Sequence, residues 1–180
     1  LPNVVKAVER KVKTIESVRI YSGGVNLRKD RFSLNGRVIE KDIVEHRDSV
    51  GIVPVSGSDV ILVTQYRRAA DRTLLEIPAG KIEDGETPRQ AAIREMTEEI
   101  GYSGRLKSLM KWYLAPGYST ELMHVFVATD LRKTRRGPLD EDENIRIRKL
   151  KLTAAIKKCL NGEILDSKTI ASLLAYSQSD

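Results

Sequence analysis

One stretch, Leu74–Tyr102, constrains the fold more than any other part of the chain. A short apolar run, Leu74–Pro78, reads as a strand closed by Ala79-Gly80, and a polar loop follows from Lys81 to Glu86. Thr87 suits a helix N-cap and Pro88 suits the first turn. The predicted helix runs to Ile100 and stops at Gly101, a residue favoured just past a helix end because it takes a left-handed backbone at little cost. At 3.6 residues per turn, Glu95, Glu98 and Glu99 fall in one narrow sector. Ile93, Met96 and Ile100 lie on the other side and are expected to pack on a sheet. Strand, loop and helix together make a compact platform with carboxylates beside the loop.

Three carboxylates on one helix face repel each other, and in a helix of ordinary duty nothing offsets that cost. A divalent cation would offset it. Between Glu76 and Gly101 seven acids (Glu76, Glu83, Asp84, Glu86, Glu95, Glu98, Glu99) face three bases (Lys81, Arg89, Arg94), within a chain whose net charge is +6. The plain alternative is a solvated acidic face. Two histidines and one cysteine argue against a zinc site built from His and Cys. Oxygen ligands point instead to Mg²⁺, with Mn²⁺ or Ca²⁺ as substitutes. Gly80 allows a tight turn in which backbone carbonyls face inward, so the Ala79 carbonyl is a further candidate ligand.

Strand patterns dominate the remainder. Residues 1–15 are polar and basic and read as a loose arm or short helix. Val18–Tyr21, Val25–Leu34 and Val38–His46 are β-like, with Asn35-Gly36 a strong hairpin signal. Val50–Val55 and Val60–Tyr66 read as a buried hairpin. Arg105–Tyr113, Leu122–Leu131 and Ile145–Leu152 read as further strands, and helices are expected at about 153–160 and 167–177. The fold class is therefore α+β, a mixed sheet layered with helices. The expected division is residues 1–46, an arm and small antiparallel sheet, and residues 47–180, the main domain.

The segment Gly80, then Glu86, then Arg94-Glu95-Met96-Thr97-Glu98-Glu99-Ile100-Gly101-Tyr102 resembles the box of the Nudix hydrolases at every fixed position and spacing. Met96 and Tyr102 stand where small aliphatic residues are usual. Gln65-Tyr66-Arg67-Arg68, Leu75–Gly80 and Pro116, fifteen residues after Gly101, resemble the ADP-ribose pyrophosphatase branch of that family. The resemblance implies an α/β/α sandwich with a mixed sheet and a small N-terminal antiparallel sheet. It implies hydrolysis of a nucleoside diphosphate linked to another group. ADP-ribose is the favoured substrate, with AMP and ribose 5-phosphate as products. A nucleotide sugar, a dinucleoside polyphosphate or a damaged nucleotide is the alternative, and a Nudix-fold binding module without catalysis is the more distant one.

Carried over by position, the resemblance makes Glu95, Glu99 and the Ala79 carbonyl metal ligands, with Glu98 assisting. Arg94 orients the glutamates through ion pairs, and Glu86 supports the loop. In the acidic loop Asp140–Asn144, Glu141 is the candidate base and Glu143 an extra metal ligand, while Glu121 braces a neighbouring loop. Arg67, Glu76 and Gly117 are the candidate substrate-binding residues. Arg67 is expected to grip phosphate with its guanidinium, unless it and Glu76 form a scaffold ion pair. The resemblance also implies a homodimer in which the N-terminal sheet completes the neighbouring site.

A single cysteine, Cys159, suits a reducing cytoplasm. No apolar run approaches the ~20 residues that span a bilayer, so no membrane partner is expected. The basic run 132–136 is short, lacks interleaved aromatics and adjoins acids, so it reads as a solvated loop and not as a nucleic-acid contact.

Overall fold

The structure is a computed structural model that describes residues 12–135, 137 and 145–179. The chain divides into two units, Leu1–His46 with Ala115–Glu121, and Arg47–Leu114 with Leu122–Asp180. Ala115–Glu121, which the sequence reading leaves in the larger domain, thus belongs with the N-terminal strands.

In the first unit, β1 (Val12–Ser22), β2 (Asn26–Leu34) and β3 (Arg37–Glu45) form an antiparallel sheet in sequential order. The first strand starts at Val12, within the stretch expected to be a loose arm, because Val12, Thr14 and Val18 find partners along β2. Asn35 and Gly36 both have positive φ, 53° and 80°, as a tight hairpin between right-twisted strands requires. Ala115–Glu121 lies alongside β3: Val44 N–H donates to Tyr118 O at 2.7 Å, and Thr120 N–H to Val44 O at 3.1 Å. The Thr120 hydroxyl is hydrogen-bonded to both backbone groups of His46. Glu121 Oε2 stands 3.6 Å from His46 Nδ1.

The second unit is built on a seven-stranded sheet. Its main path runs β10 (Arg146–Lys151), β5 (Asp59–Arg67), β4 (Ser49–Ser56), β9 (Leu122–Lys133), β8 (Tyr102–Tyr113). The pairing of β4 with β9 is parallel and the others are antiparallel, which makes the sheet mixed. Alternation along the strands divides the core. Val50, Ile52, Ile61, Val63, Phe126 and Ala128 pack with Ala91, Ala92, Met96 and Ile100 of the central helical segment. Val53, Val55, Val60, Leu62, Val125 and Val127 pack with residues of α2 (Leu152–Leu160) and α3 (Ser167–Ser177), including Ala155, Cys159 and Leu173. Helices therefore cover both sheet faces, and the architecture is the expected α/β/α sandwich.

One departure from regular pairing prepares the site. β4 and β5 are in register only at Val55–Val60 and Ser56–Asp59, then separate. The wedge is filled by β6 (Arg72–Glu76), which pairs with β5, and β7 (Ala79–Lys81), which pairs with β4. The sequence reading runs the first of these strands on to Pro78 and does not foresee the second. In fact Ile77-Pro78 crosses from one strand to the other, and the Pro78 carbonyl accepts Ile52 N–H at 2.9 Å. Among the described residues no helix is long and apolar enough to cross a membrane.

Candidate active site

The site begins with helix α1 (Pro88–Glu95). Thr87 and Gln90 form a capping box: Gln90 N–H donates to Thr87 Oγ1 at 3.3 Å, and Thr87 N–H donates to Gln90 Oε1 at 2.9 Å. After Glu95 the backbone loosens into a π-helical turn, Met96–Ile100, which Gly101 ends with a φ of 68°. From the sequence, Pro88–Ile100 is expected to be one α-helix. A π turn spaces residues differently, and such turns recur at functional sites. The expected inner face is also corrected. Met96 and Ile100 are buried, but Ile93 is 43% exposed, and Ala91 and Ala92 take its place in the core.

The three glutamates do not share one environment. Glu95 and Glu99 are buried, whereas the Glu98 side chain is 30% exposed. Arg94 offsets their repulsion. Its Nη1 donates to Glu95 Oε1 at 2.7 Å and to Glu98 Oε2 at 3.0 Å. Its Nε and Nη2 hold Glu86 at 2.8 and 3.0 Å, and Nη2 also donates to the Lys81 carbonyl at 2.9 Å. Glu86, foremost, and then Glu95 and Glu98 outweigh the opposing effect of burial and hold the Arg94 guanidinium protonated well above its ordinary range. Glu86 itself is held below the usual carboxylate range by Arg94. It also accepts Glu83 N–H at 3.0 Å, which ties down the loop.

β7 faces this helical segment at close quarters. A Cβ on Gly80 would fall 1.8 Å from Glu95 Oε1, so the carboxylate occupies a cradle that only glycine leaves open. Ala79 N–H donates to Glu99 Oε2 at 3.1 Å. Ala79, Glu95 and Glu99, three of the expected metal ligands, are thus gathered at one place, with Glu98 tied to Glu95 through Arg94. Among the described residues there is no ready-made cage of three acidic or His/Cys side chains. The donor set is nonetheless all oxygen, anionic and braced by a fixed cation, which fits a hard divalent ion and not a soft one.

Arg67 and Glu76 meet each other. Arg67 Nε and Nη2 donate to the two Glu76 oxygens at 2.9 and 2.7 Å, and Lys168 Nζ also reaches Glu76 Oε2. Burial pushes the Glu76 carboxyl up, but Arg67 and Lys168 outweigh it and hold the group below its ordinary range. The nitrogens with which Arg67 was expected to grip phosphate side by side are therefore engaged. Its Nη1 has no partner among the described residues, and the side chain is 39% exposed. Gly117 belongs to the first unit, in the turn where Tyr118 and Ser119 N–H donate to Ala115 O at 3.1 and 2.8 Å. Glu141 and Glu143 lie outside the described residues.

Two groups escaped the sequence reading. Lys168 comes from the first turn of α3, and no local pattern marks it. Gly137 is the other: its N–H lies 3.4 Å from Thr97 O, and a Cβ there would come within 2.8 Å of Glu98 Cγ. Gly137, three residues before Asp140, therefore rests on the π-helical turn. A glycine followed by proline, Gly137-Pro138, was the available signal.

Comparison with known proteins places this geometry among relatives. The sequence pattern of the NUDIX domain matches residues 45–172. The chain is 37% identical over 171 residues, 92% of either chain, to a protein of Bacillus subtilis (strain 168) named ADP-ribose pyrophosphatase. It is 36% identical over 166 residues, 89% of this chain and 90% of the other, to a protein of Bacillus methanolicus named methanol dehydrogenase activator. A solved structure described as an ADP compounds hydrolase shares the fold, with a TM-score of 0.83 over 93% of both chains at 24% identity.

Proposed function

The chain belongs to the Nudix family, and on that premise we propose that it hydrolyses the pyrophosphate of ADP-ribose to AMP and ribose 5-phosphate with Mg²⁺, Mn²⁺ being a substitute. The observation that carries this reading is the meeting of Ala79-Gly80 with Glu95 and Glu99. Glu95, Glu99 and the Ala79 carbonyl hold the cation, Glu98 assists, and Arg94 fixes the directions of Glu95 and Glu98. When bound, the cation supplies charge that neutralises the pyrophosphate and acidifies water. The protein's own work is placement. Arg67 presents its Nη1 donors to phosphate, and Glu76 holds the rest of the guanidinium still. Glu141 takes the proton of the attacking water, and Glu143 would serve as an extra metal ligand. The oxygen of water bonds to one phosphorus, the bridging P–O bond breaks, and the other phosphate leaves. Gly117 is carried over as a substrate-binding residue by its position in the sequence.

The reading further includes a homodimer in a reducing, cytoplasmic setting. Exposed Val12, Val18, Ile20 and Val38 on the N-terminal sheet support the first, and the single thiol, Cys159, supports the second. A monomeric mass in sedimentation with full activity would overturn the dimer.

The decisive experiment is hydrolysis of ADP-ribose with and without Mg²⁺, resolving AMP and ribose 5-phosphate. Mg²⁺-dependent cleavage is expected. Activity confined to another nucleoside diphosphate derivative would keep the chemistry and replace the substrate. Silence on a broad panel would favour a binding role, against which stands the retention of Glu95, Glu98 and Glu99.

A further inference from the structure

Helix α3 begins on the far side of the sheet from α1, yet its first turn reaches the strand that leads into Ala79. Asp166 caps it, accepting Thr169 N–H at 2.9 Å and the Thr169 hydroxyl at 2.5 Å on Oδ2. Asp166 Oδ1 accepts Lys168 Nζ at 2.8 Å. From this organised turn two contacts run to consecutive residues. Lys168 Nζ donates to the Glu76 carboxylate, and Thr169 Oγ1 accepts Ile77 N–H at 2.8 Å. Lys168, Asp166 and Glu76 are 11%, 13% and 1% exposed, and Thr169 is fully buried. An ammonium removed from water this far is tolerated only when paired, and here two carboxylates pair it.

The location gives the contact its meaning. Glu76 ends β6, Ile77 opens the crossing to Pro78, and Ala79 follows with its N–H on Glu99. Glu76 is the last residue of β6 paired with β5, opposite Val63, and the register with β5 stops there. At the entry to the crossing the first turn of α3 adds to the pairing of Glu76 with Val63 and to the ion pair of Glu76 with Arg67, and at the exit β7 pairs with β4.

We propose that Lys168 is a positioning residue for the metal platform: with Thr169 it clamps Glu76-Ile77 and so sets where Ala79 meets Glu99. The inference rests on the metal-site reading given above, and Lys168 touches neither substrate nor cation in it. Loss of the ammonium removes the link between Asp166 and Glu76 and leaves Glu76 to Arg67 alone, which loosens the clamp at its α3 end. Arg67 and the pairing of β6 with β5 still hold Glu76, and of the contacts from α3 only the Thr169 hydroxyl on Ile77 remains.

The test compares the full chain with Lys168→Met, which keeps length and apolar bulk, and with Thr169→Val, which keeps volume and removes the acceptor. Lys151→Met, at an exposed pair with Asp59, is the control. Amide hydrogen exchange at Ile77 and Ala79 is followed without metal, and Mn²⁺ binding is followed by its paramagnetic signal without substrate. In Lys168→Met, exchange at both amides is expected to quicken about tenfold, and Mn²⁺ affinity to fall about tenfold. Thr169→Val is expected to do the same, Lys168→Arg to recover most of the loss, and the control to change neither. Unchanged exchange in both variants overturns the proposal. So does quickened exchange with undiminished Mn²⁺ affinity. If the unaltered protein cleaves no ADP-ribose, the substrate reading fails, and these two comparisons still decide the role of Lys168.

Discussion

Gly80 and Glu95 share a space that holds only one of a methyl group and a carboxylate: a Cβ on Gly80 would sit 1.8 Å from Glu95 Oε1 and 2.0 Å from its Cδ. The glycine is not there for backbone freedom, since its φ is not among the positive ones. It is there for close approach. The clashing atoms are the far end of a flexible side chain, so Gly80→Ala is expected to fold and to turn Glu95 out of its cradle. Turnover should fall on the order of 100-fold while the melting temperature moves by only a few degrees. A variant with the original rate would remove Glu95 from the metal site.

Glu99 tests the same platform from the other side. It is 2% exposed and accepts Ala79 N–H. Glu99→Gln keeps shape and an acceptor for that N–H but removes the charge. Turnover is expected to vanish with the circular-dichroism spectrum unchanged. Near-normal rates at saturating Mg²⁺ would contradict the assignment.

Arg94 separates charge from geometry. Its fork serves Glu86, Glu95, Glu98 and the Lys81 carbonyl at once, through all three nitrogens. A lysine carries the charge on one point and reaches one or two of these. Arg94→Lys is therefore expected to cost about 1–3 kcal/mol in a urea titration and more than tenfold in turnover. Equal stability and activity would show that charge alone suffices.

What could be read from the sequence was local. The Thr87 and Pro88 start, the Gly101 stop and the Asn35-Gly36 hairpin each depend on a residue's own backbone preference, and each stands where expected. Failures came where distant parts of the chain decide. Ile93 lies at helical spacing from Met96 and Ile100, but Ala91 and Ala92 take the core side of α1 and leave it in solvent. Ala79–Lys81 becomes a strand only because β4 offers an edge there. Ala115–Glu121 joins the N-terminal unit through hydrogen bonds to Val44, some seventy residues earlier. Lys168 is 92 residues from Glu76, and no motif links them. Of the proposed site, the box residues were legible because their spacing is the site. The supporting cation Lys168 was not, because tertiary contact alone brings it there.

Glu76 gives the fold an acid dependence of known sign. Its folded-state pKa lies below the usual value, with burial opposed and outweighed by Arg67 and Lys168. Its contribution is thus fully present above the unfolded pKa of about 4.3 and is lost as pH falls through the lower folded value. Glu76→Gln is expected to destabilise near pH 7, and the gap between the two proteins should close as pH falls below about 4. Urea midpoints taken from pH 7 to pH 3 decide this. A gap that stays constant would mean that the Glu76 charge does not stabilise the folded chain.

Ser172 offers a change in the opposite direction. It stands in the middle of α3 and is fully buried, and its hydroxyl has no hydrogen-bond partner among the described residues. A buried hydroxyl left unpaired costs desolvation with no return, and serine is a poorer helix former than alanine. Ser172→Ala removes both costs and leaves a void smaller than a methyl group. It is expected to raise stability by about 1 kcal/mol. The urea midpoint should rise with an unchanged slope, since the surface exposed on unfolding hardly differs. Turnover should stay as it was, because the Asp166, Lys168 and Thr169 contacts to Glu76 and Ile77 remain intact. A lower midpoint would show that the hydroxyl has a partner in solution and that this stretch of α3 is held more tightly than its side chains alone account for.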